Sequence, residues 1–390
     1  MKPETTFKEL KASGYAHKTI NEEIQSNLIG RIRAKQPVFE GLVGYEDTVV
    51  PQLKKAILAG HHINLLGLRG QAKTRIARSM VDLLDEYMPI VKGSEINDSP
   101  FAPISKFAVD TMAELGDKTP IAWVHRSARF FEKLATPDVN ISDLIGDIDP
   151  IKAATLKLPY SDERVLHYGM IPRANRCIFV LNELPDLQAR IQVSLFNILQ
   201  EGDIQIRGFQ LSMPLDIQFV FTANPEDYTN RGSIVTPLKD RIGSQIFTHY
   251  PKNIALARAI TEQEAKISQG DKAAIHIPEP AKNLLEEVSF VARGSEYVDA
   301  KSGVSARLSI STMENLVAAG KLRMIETQTQ STTIRLVDFM SIIPSITGKI
   351  ELVYEGEQEG ADEVAKMLID AAVLMQFNQL FPRIPKLEKA

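Results

Sequence analysis

The sequence predicts a parallel α/β domain followed by a smaller all-helical one. Three observations carry this. Short apolar runs rich in Ile, Leu, Val and Phe, at 63–66, 178–181 and 218–222, are separated by longer helical stretches between Phe39 and about Tyr250. Strands that are apolar throughout, rather than alternating, mark a parallel sheet covered by helices on both faces. Each run then ends at polar or glycine residues, and in such sheets ligands bind beyond the carboxyl ends of the strands. After Pro251 the apolar period becomes helical, at 254–267, 281–292, 310–325 and from about Glu363 to Leu380. The expected division is a helical N-terminal lead-in (1–37), an α/β core (38–250), and a helical domain with a C-terminal extension (251–390).

Composition narrows the class. The chain has 390 residues, 44% hydrophobic and 24% charged, with a net charge of −4. That length suits two domains with sizeable cores. Mild acidity gives no overall drive toward nucleic acid or anionic membranes. The single cysteine, Cys177, excludes an intrachain disulfide and fits a reducing cytoplasm; lying in an apolar run, it reads as a buried structural thiol. The opening Met-Lys-Pro-Glu-Thr-Thr lacks the apolar core of a signal peptide, and nowhere do ~18 uninterrupted apolar residues occur. A cytoplasmic folded protein is expected.

Taken in order, residues 1–35 read as a polar, helical stretch, with Arg31, Arg33 and Lys35 on a solvated face. The next feature is Gly67-Leu-Arg-Gly70-Gln71-Ala72-Lys73-Thr74, between the run at 63–66 and a helical pattern at 76–84. Strand, glycine-rich turn, lysine-threonine and helix, in that order, make a phosphate-holding loop. Backbone N–H groups of the turn point inward, and the helix N-terminus adds partial positive charge. Lys73 can reach the outer phosphates of ATP, and the Thr74 hydroxyl can ligate Mg²⁺. Ala72 departs from the pattern, which has glycine before the lysine. His61 and His62 precede the strand as adjacent residues that point to opposite faces, so they read as structural rather than metal-binding.

Two hairpins are expected outside the sheet. One pairs 155–158 with 165–168; the other lies at 203–211, turning at Gly208. A strand-like patch, Ile350-Glu-Leu-Val-Tyr354, interrupts the helical region.

Phosphoryl transfer to water needs a phosphate cradle, a metal, a group that positions water, and cations on the developing charge. The second run ends Leu181-Asn182-Glu183. An apolar strand delivering polar residues beside the phosphate loop supplies a metal-shell group at Asn182 and a water-polarising base at Glu183. Aspartate is usual at the first of these positions. The Asn182 amide oxygen can accept from a metal-bound water but lacks the full negative charge, so weaker Mg²⁺ hold is expected. The third run ends at Asn224, whose amide can orient the water or touch the terminal phosphate. Arg241, after a short helix, and Arg307, opening a helix of the second domain, are the candidate cations.

In this order the residues resemble the AAA+ ATPases, and within them the magnesium-chelatase ATPase-subunit and MoxR-like branch. Residues 67–74 look like Walker A, 177–183 like Walker B, Asn224 like sensor 1, Arg241 like the arginine finger and Arg307 like sensor 2. Gly41-Leu-Val43-Gly44 is similar to the family's adenine-side segment. Residues 143–149 and 171–176 are similar to the stretches flanking the branch's helix-2 insert, which the hairpin at 155–168 would form. The resemblance covers roughly residues 38–330 and implies a P-loop NTPase sheet sandwiched by helices, followed by a helical lid.

It further implies ATP and Mg²⁺ bound between neighbouring subunits of a ring, usually a hexamer, with Arg241 acting in trans and Arg307 in cis. Heterologous contacts of this kind close into rings. Hydrolysis would then drive remodelling of a partner protein or assist metal or cofactor insertion. No Asp-x-Ser-x-Ser motif occurs in the chain, so an integrin-like metal-binding domain would belong to a separate partner. Ala72 and Asn182 keep open a second reading, a nucleotide-binding scaffold subunit that does not hydrolyse. A DNA-acting motor is disfavoured because the hairpin at 203–211 offers only Arg207 as a base.

Overall fold

The computed structural model describes residues 5–160, 162–201, 204, 213–225 and 233–381. The chain divides into two compact units, one of 1–67 with 73–247, the other of 68–72 with 248–390.

The first unit carries, in chain order, α1 (Ile20–Arg33), α2 (Val49–Leu58), β1 (Ile63–Leu66), α3 (Lys73–Ser79), β2 (Phe130–Leu134), β3 (Cys177–Asn182), α4 (Ala189–Glu201), β4 (Ile217–Ala223), α5 (Thr236–Arg241) and β5 (Ser244–Phe247). The strands form one sheet in the order β5-β1-β4-β3-β2, parallel throughout. Every residue of β1 and of β4 is buried, as is β3 up to Leu181. Two-sided burial explains why these runs are apolar without alternation. Phe179, Phe219 and Phe221 pack together in the core beneath α4.

Several local expectations are corrected. The stretch before residue 35 is helical, with Arg33 and Lys35 exposed as expected, but α1 also buries Ile20, Glu23, Ile24 and Leu28 along one stripe. Glu23 forms a bidentate ion pair with Arg129 at 2.6 and 2.7 Å, and Arg129 is fully buried at the start of β2. A separate three-stranded antiparallel sheet joins Thr5–Thr6, Pro120–His125 and Tyr87–Val91. The strand pair expected at 155–168 uses a different first strand: Gly146–Ile148 pairs antiparallel with Leu166–Tyr168. Thr155 and Leu156 instead end the helix Pro150–Leu156. Asp149 caps that helix, accepting from the amides of Ile151 and Lys152, and Pro150 occupies its first turn. The hairpin expected at 203–211 lies outside the described residues except for Ile204.

The second unit is built on α6 (Ile254–Glu264), α7 (Glu279–Gly294), α8 (Arg307–Thr327) and α9 (Ala361–Leu380); the apolar faces of α7, α8 and α9 share one core with Phe339, Ile342 and Ile346. The patch at 350–354 makes only a single bridge, Leu352 with Val298. No described helix is long and apolar enough to cross a membrane.

Candidate nucleotide site

The carboxyl ends of β1, β3 and β4 converge on the N-terminus of α3. The Gly67 amide donates to the Ala223 carbonyl at 3.1 Å, so the loop leaves β1 still tied to its neighbour. Lys73 opens α3, and its Nζ donates to Asn224 Oδ1 at 2.5 Å and to the Gly67 carbonyl. Beside it, Thr74 Oγ1 lies 3.5 Å from Asn182 Oδ1, which also accepts from Thr222 Oγ1 at 3.1 Å. Lys73 is thus joined to Asn224 and Thr74 to Asn182, and each of the four is half-buried.

Glu183 follows Asn182 in a left-handed conformation (φ 56°) that turns the chain off β3. Its backbone N–H donates to Thr222 Oγ1 at 3.1 Å, so one threonine ties both strand-end residues to β4. A non-glycine residue held there costs on the order of 1 kcal/mol and persists only where its surroundings fix it. The half-buried Glu183 side chain occupies the strand-end position expected of a water-positioning base.

Arg241, at the end of α5, pairs with Asp240 at 2.6 Å and stacks on Phe196 of α4, 4.6 Å from the ring centroid. Val43 and Gly44 are half-buried in the turn ahead of α2, where Gly44 takes φ 84°. The remaining loop residues, Gly70, Gln71 and Ala72, group with the second unit, as does Arg307. Gln71 is buried and accepts from Thr248 Oγ1 at 2.8 Å, while Tyr250 Oη donates to the Arg69 carbonyl at 2.9 Å. A Cβ on Gly70 (φ 73°) would strike Ser305. Ala72 itself sits at φ 55°, which explains why glycine is usual at this position. Arg307 begins α8, with its amide donating to Ser305 Oγ at 3.1 Å.

Two charged neighbours of the site were absent from the sequence reading. Glu132, in the middle of β2, accepts from Asn182 Nδ2 at 2.7 Å, and Arg78, one turn along α3 from Thr74, donates to Glu132 at 2.7 Å. The available signal was a glutamate directly after two phenylalanines, in the run Phe130-Phe131-Glu132-Lys133-Leu134. The donor set next to Thr74 is all oxygen: hydroxyl, amide carbonyl and, behind them, a carboxylate. Such hard ligands fit Mg²⁺, which is held by one or two protein groups plus substrate phosphates. Among the described residues no group of three or more His, Cys, Asp and Glu could cage a metal unaided.

Cys177 and the histidine pair are structural. Burial pushes the Cys177 thiol up to about 12. Burial lowers His62 to about 4, and its neutral ring accepts from the Phe219 amide at 3.3 Å. His61 bonds Ser244 at 2.8 Å.

A family model described as the Sigma-54 interaction domain matches residues 159–243. The chloroplastic magnesium-chelatase subunit ChlI-1 of Arabidopsis thaliana is 25% identical over 256 residues, 63% of this chain and 57% of that protein. The magnesium-chelatase 38 kDa subunit of Cereibacter sphaeroides is 24% identical over 237 residues, 58% of this chain and 63% of that protein. The chain therefore spans less than two thirds of the length of these curated relatives. Among solved structures, one of the complex between subunits BchI and BchD of magnesium chelatase is 17% identical, covering 82% of this chain and 98% of that one, with a TM-score of 0.44. A Thermotoga maritima RuvB mutant is 10% identical, covering 90% and 82%, also at 0.44; scores this low add nothing about function. The 5-1-4-3-2 parallel sheet, the phosphate loop and these sequence relatives together support the resemblance to the AAA+ proteins of the branch that holds the magnesium-chelatase ATPase subunits and the MoxR-like proteins.

Proposed function

We propose that this chain binds ATP with Mg²⁺ and hydrolyses it as one subunit of a ring-forming motor, coupling turnover to remodelling of a partner protein or to metal or cofactor insertion. The observation that carries this reading is the convergence of Lys73, Thr74, Asn182 and Asn224, drawn from one helix and two strand ends, beside Glu183. Lys73 already points its ammonium at two acceptors, Asn224 and Gly67, and a phosphate oxygen arriving at the loop would compete for the same protons. Asn224 would then be released to face the terminal phosphate or the attacking water.

Thr74 and Asn182 would hold Mg²⁺, which when bound neutralises charge on the outer phosphates. Glu183 orients the water and accepts its proton. In the role the family implies, Arg241 reaches the nucleotide of a neighbouring subunit, and Arg307 senses the γ-phosphate from the lid; Val43 and Gly44 border the adenine. The relatives named as magnesium-chelatase subunits support a protein partner; that this partner carries an integrin-like metal-binding domain is part of the same proposal.

A second reading, a scaffold subunit that binds nucleotide without turning it over, is favoured by the left-handed Ala72 and by the uncharged Asn182. Steady-state phosphate release separates the two. The motor reading expects ATP turnover that Glu183→Gln reduces by about 10²-fold or more while ATP binding persists. Equally slow release from both proteins, with ATP bound by both, would leave the scaffold.

A further inference from the structure

The strand next to β3 supplies what the end of β3 lacks. Leu134 of β2 is in register with Asn182, and Glu132 stands two residues earlier, on the same face of the sheet. On that face Thr74 and Arg78 project from successive turns of α3. The four side chains line up in a chain of three contacts. Thr74 Oγ1 faces Asn182 Oδ1 at 3.5 Å, Asn182 Nδ2 donates to Glu132 Oε1 at 2.7 Å, and Arg78 donates to Glu132 Oε2 at 2.7 Å. Arg78 also lies over the Phe130 ring, 4.8 Å from its centroid.

This chain of contacts explains the asparagine. The amide nitrogen of Asn182 is held by a carboxylate, which turns its oxygen toward the two hydroxyls of Thr74 and Thr222. An aspartate at 182 could not donate to Glu132. It would place a second carboxylate within hydrogen-bond distance of the first, and like charges that close cannot both remain ionised without a heavy cost. Asn182 and Glu132 therefore form a matched pair in which the negative charge has moved one strand over.

We infer that Glu132 is a positioning residue of the Mg²⁺–nucleotide site: it provides the negative charge that Asn182 does not carry and fixes the Asn182 carbonyl oxygen toward Thr74. It acts through Asn182 rather than by touching the reacting atoms, and Arg78 holds its second oxygen. The inference rests on the nucleotide–Mg²⁺ reading above. It adds an exchange rule: the charge belongs at 132 or at 182, not at both.

The test uses the full chain and a fluorescent ADP analogue, titrated in Mg²⁺ and in EDTA; the ratio of the two Kd values is the metal's contribution. Glu132→Gln, which keeps the shape and an acceptor for Asn182, should cut this ratio by about tenfold while leaving the EDTA affinity unchanged. Asn182→Asp alone should gain nothing, because Glu132 opposes it. Glu132→Gln combined with Asn182→Asp should return the ratio toward the wild-type value. A merely structural role for Glu132 would lower affinity equally with and without metal, and that result overturns the inference, as does an unchanged ratio in Glu132→Gln or a failed rescue. Should Glu132→Gln not fold, Asn182→Asp still decides, since a gain in the ratio with Glu132 present contradicts the exchange rule. Wild-type protein that binds no nucleotide in either buffer would fail the nucleotide reading itself, a distinguishable result.

Discussion

The two ends of the central sheet both gather charged and polar side chains, yet they treat them differently. At the amino ends of β2, β3 and β4 stand Arg129, Arg176 and Asp216, with Glu23 of α1 inserted among them. Arg129 donates to both Glu23 oxygens and twice to the Arg176 carbonyl. Arg176 reaches the Pro89 carbonyl at 2.8 Å, and Asp216 accepts from the Ile20 amide at 2.7 Å. Glu23, Arg129 and Arg176 are buried. At the carboxyl ends, Lys73, Asn182, Glu183 and Asn224 stay half-buried. Strained backbone does not separate the two ends, since Arg176 (φ 60°) and Glu183 (φ 56°) are both left-handed. Access does: one cluster is sealed by its own partners, whereas the other keeps a lysine and two strand-end amides where a ligand could exchange with their contacts. That is the division expected of a parallel sheet, with structure at one edge and ligand at the other.

Breaking the sealed end should cost stability and nothing else. Arg129→Ala leaves the buried Glu23 without its ion-pair partner, which should destabilise the fold by about 3–5 kcal/mol, read as a shift of the urea midpoint. ATP affinity, measured where the variant is still folded, should not move. A fall in affinity without a fall in stability would erase the distinction between the two ends.

A smaller effect sharpens it. Burial holds the Asp216 carboxyl up at about 6 against an ordinary value of 3.8. An acid raised in this way favours the folded state when protonated. Its contribution is therefore full below about pH 4 and is lost as the pH rises through about 6. At roughly 1.4 kcal/mol per pH unit, Asp216→Asn should gain about 1–3 kcal/mol relative to wild type between these limits. Urea titrations at both ends of the window check this. A difference between the two proteins that is flat with pH would refute the buried-acid account.

Much of this organisation is legible in the sequence because apolar runs buried on both faces cannot hide. β1, β3 and β4 announce themselves, and so does the loop from Gly67 to Thr74. The strand pair near 146–168 was harder, because a three-residue strand has too little period to register. Thr155-Leu-Lys-Leu158 alternates like a strand, yet the Asp149-Pro150 cap had already committed that stretch to a helix. The buried stripe of α1 was not read from the sequence, because it includes a glutamate, Glu23, whose partner Arg129 lies 106 residues along the chain. Glu132 was missed for a related reason. Its role depends on register with β3 and on a side chain from α3, neither of which a linear spacing encodes.

The central claim is that the open, carboxyl end of the sheet is a nucleotide site built around Lys73. Calorimetric titration of ATP with Mg²⁺ into wild type and into Lys73→Ala tests it most directly. The account predicts saturable binding to wild type and a loss of affinity of about 10²-fold or more in the variant, as expected when a charged partner of phosphate is removed. Equal binding by both proteins, or none by the wild type, would contradict it.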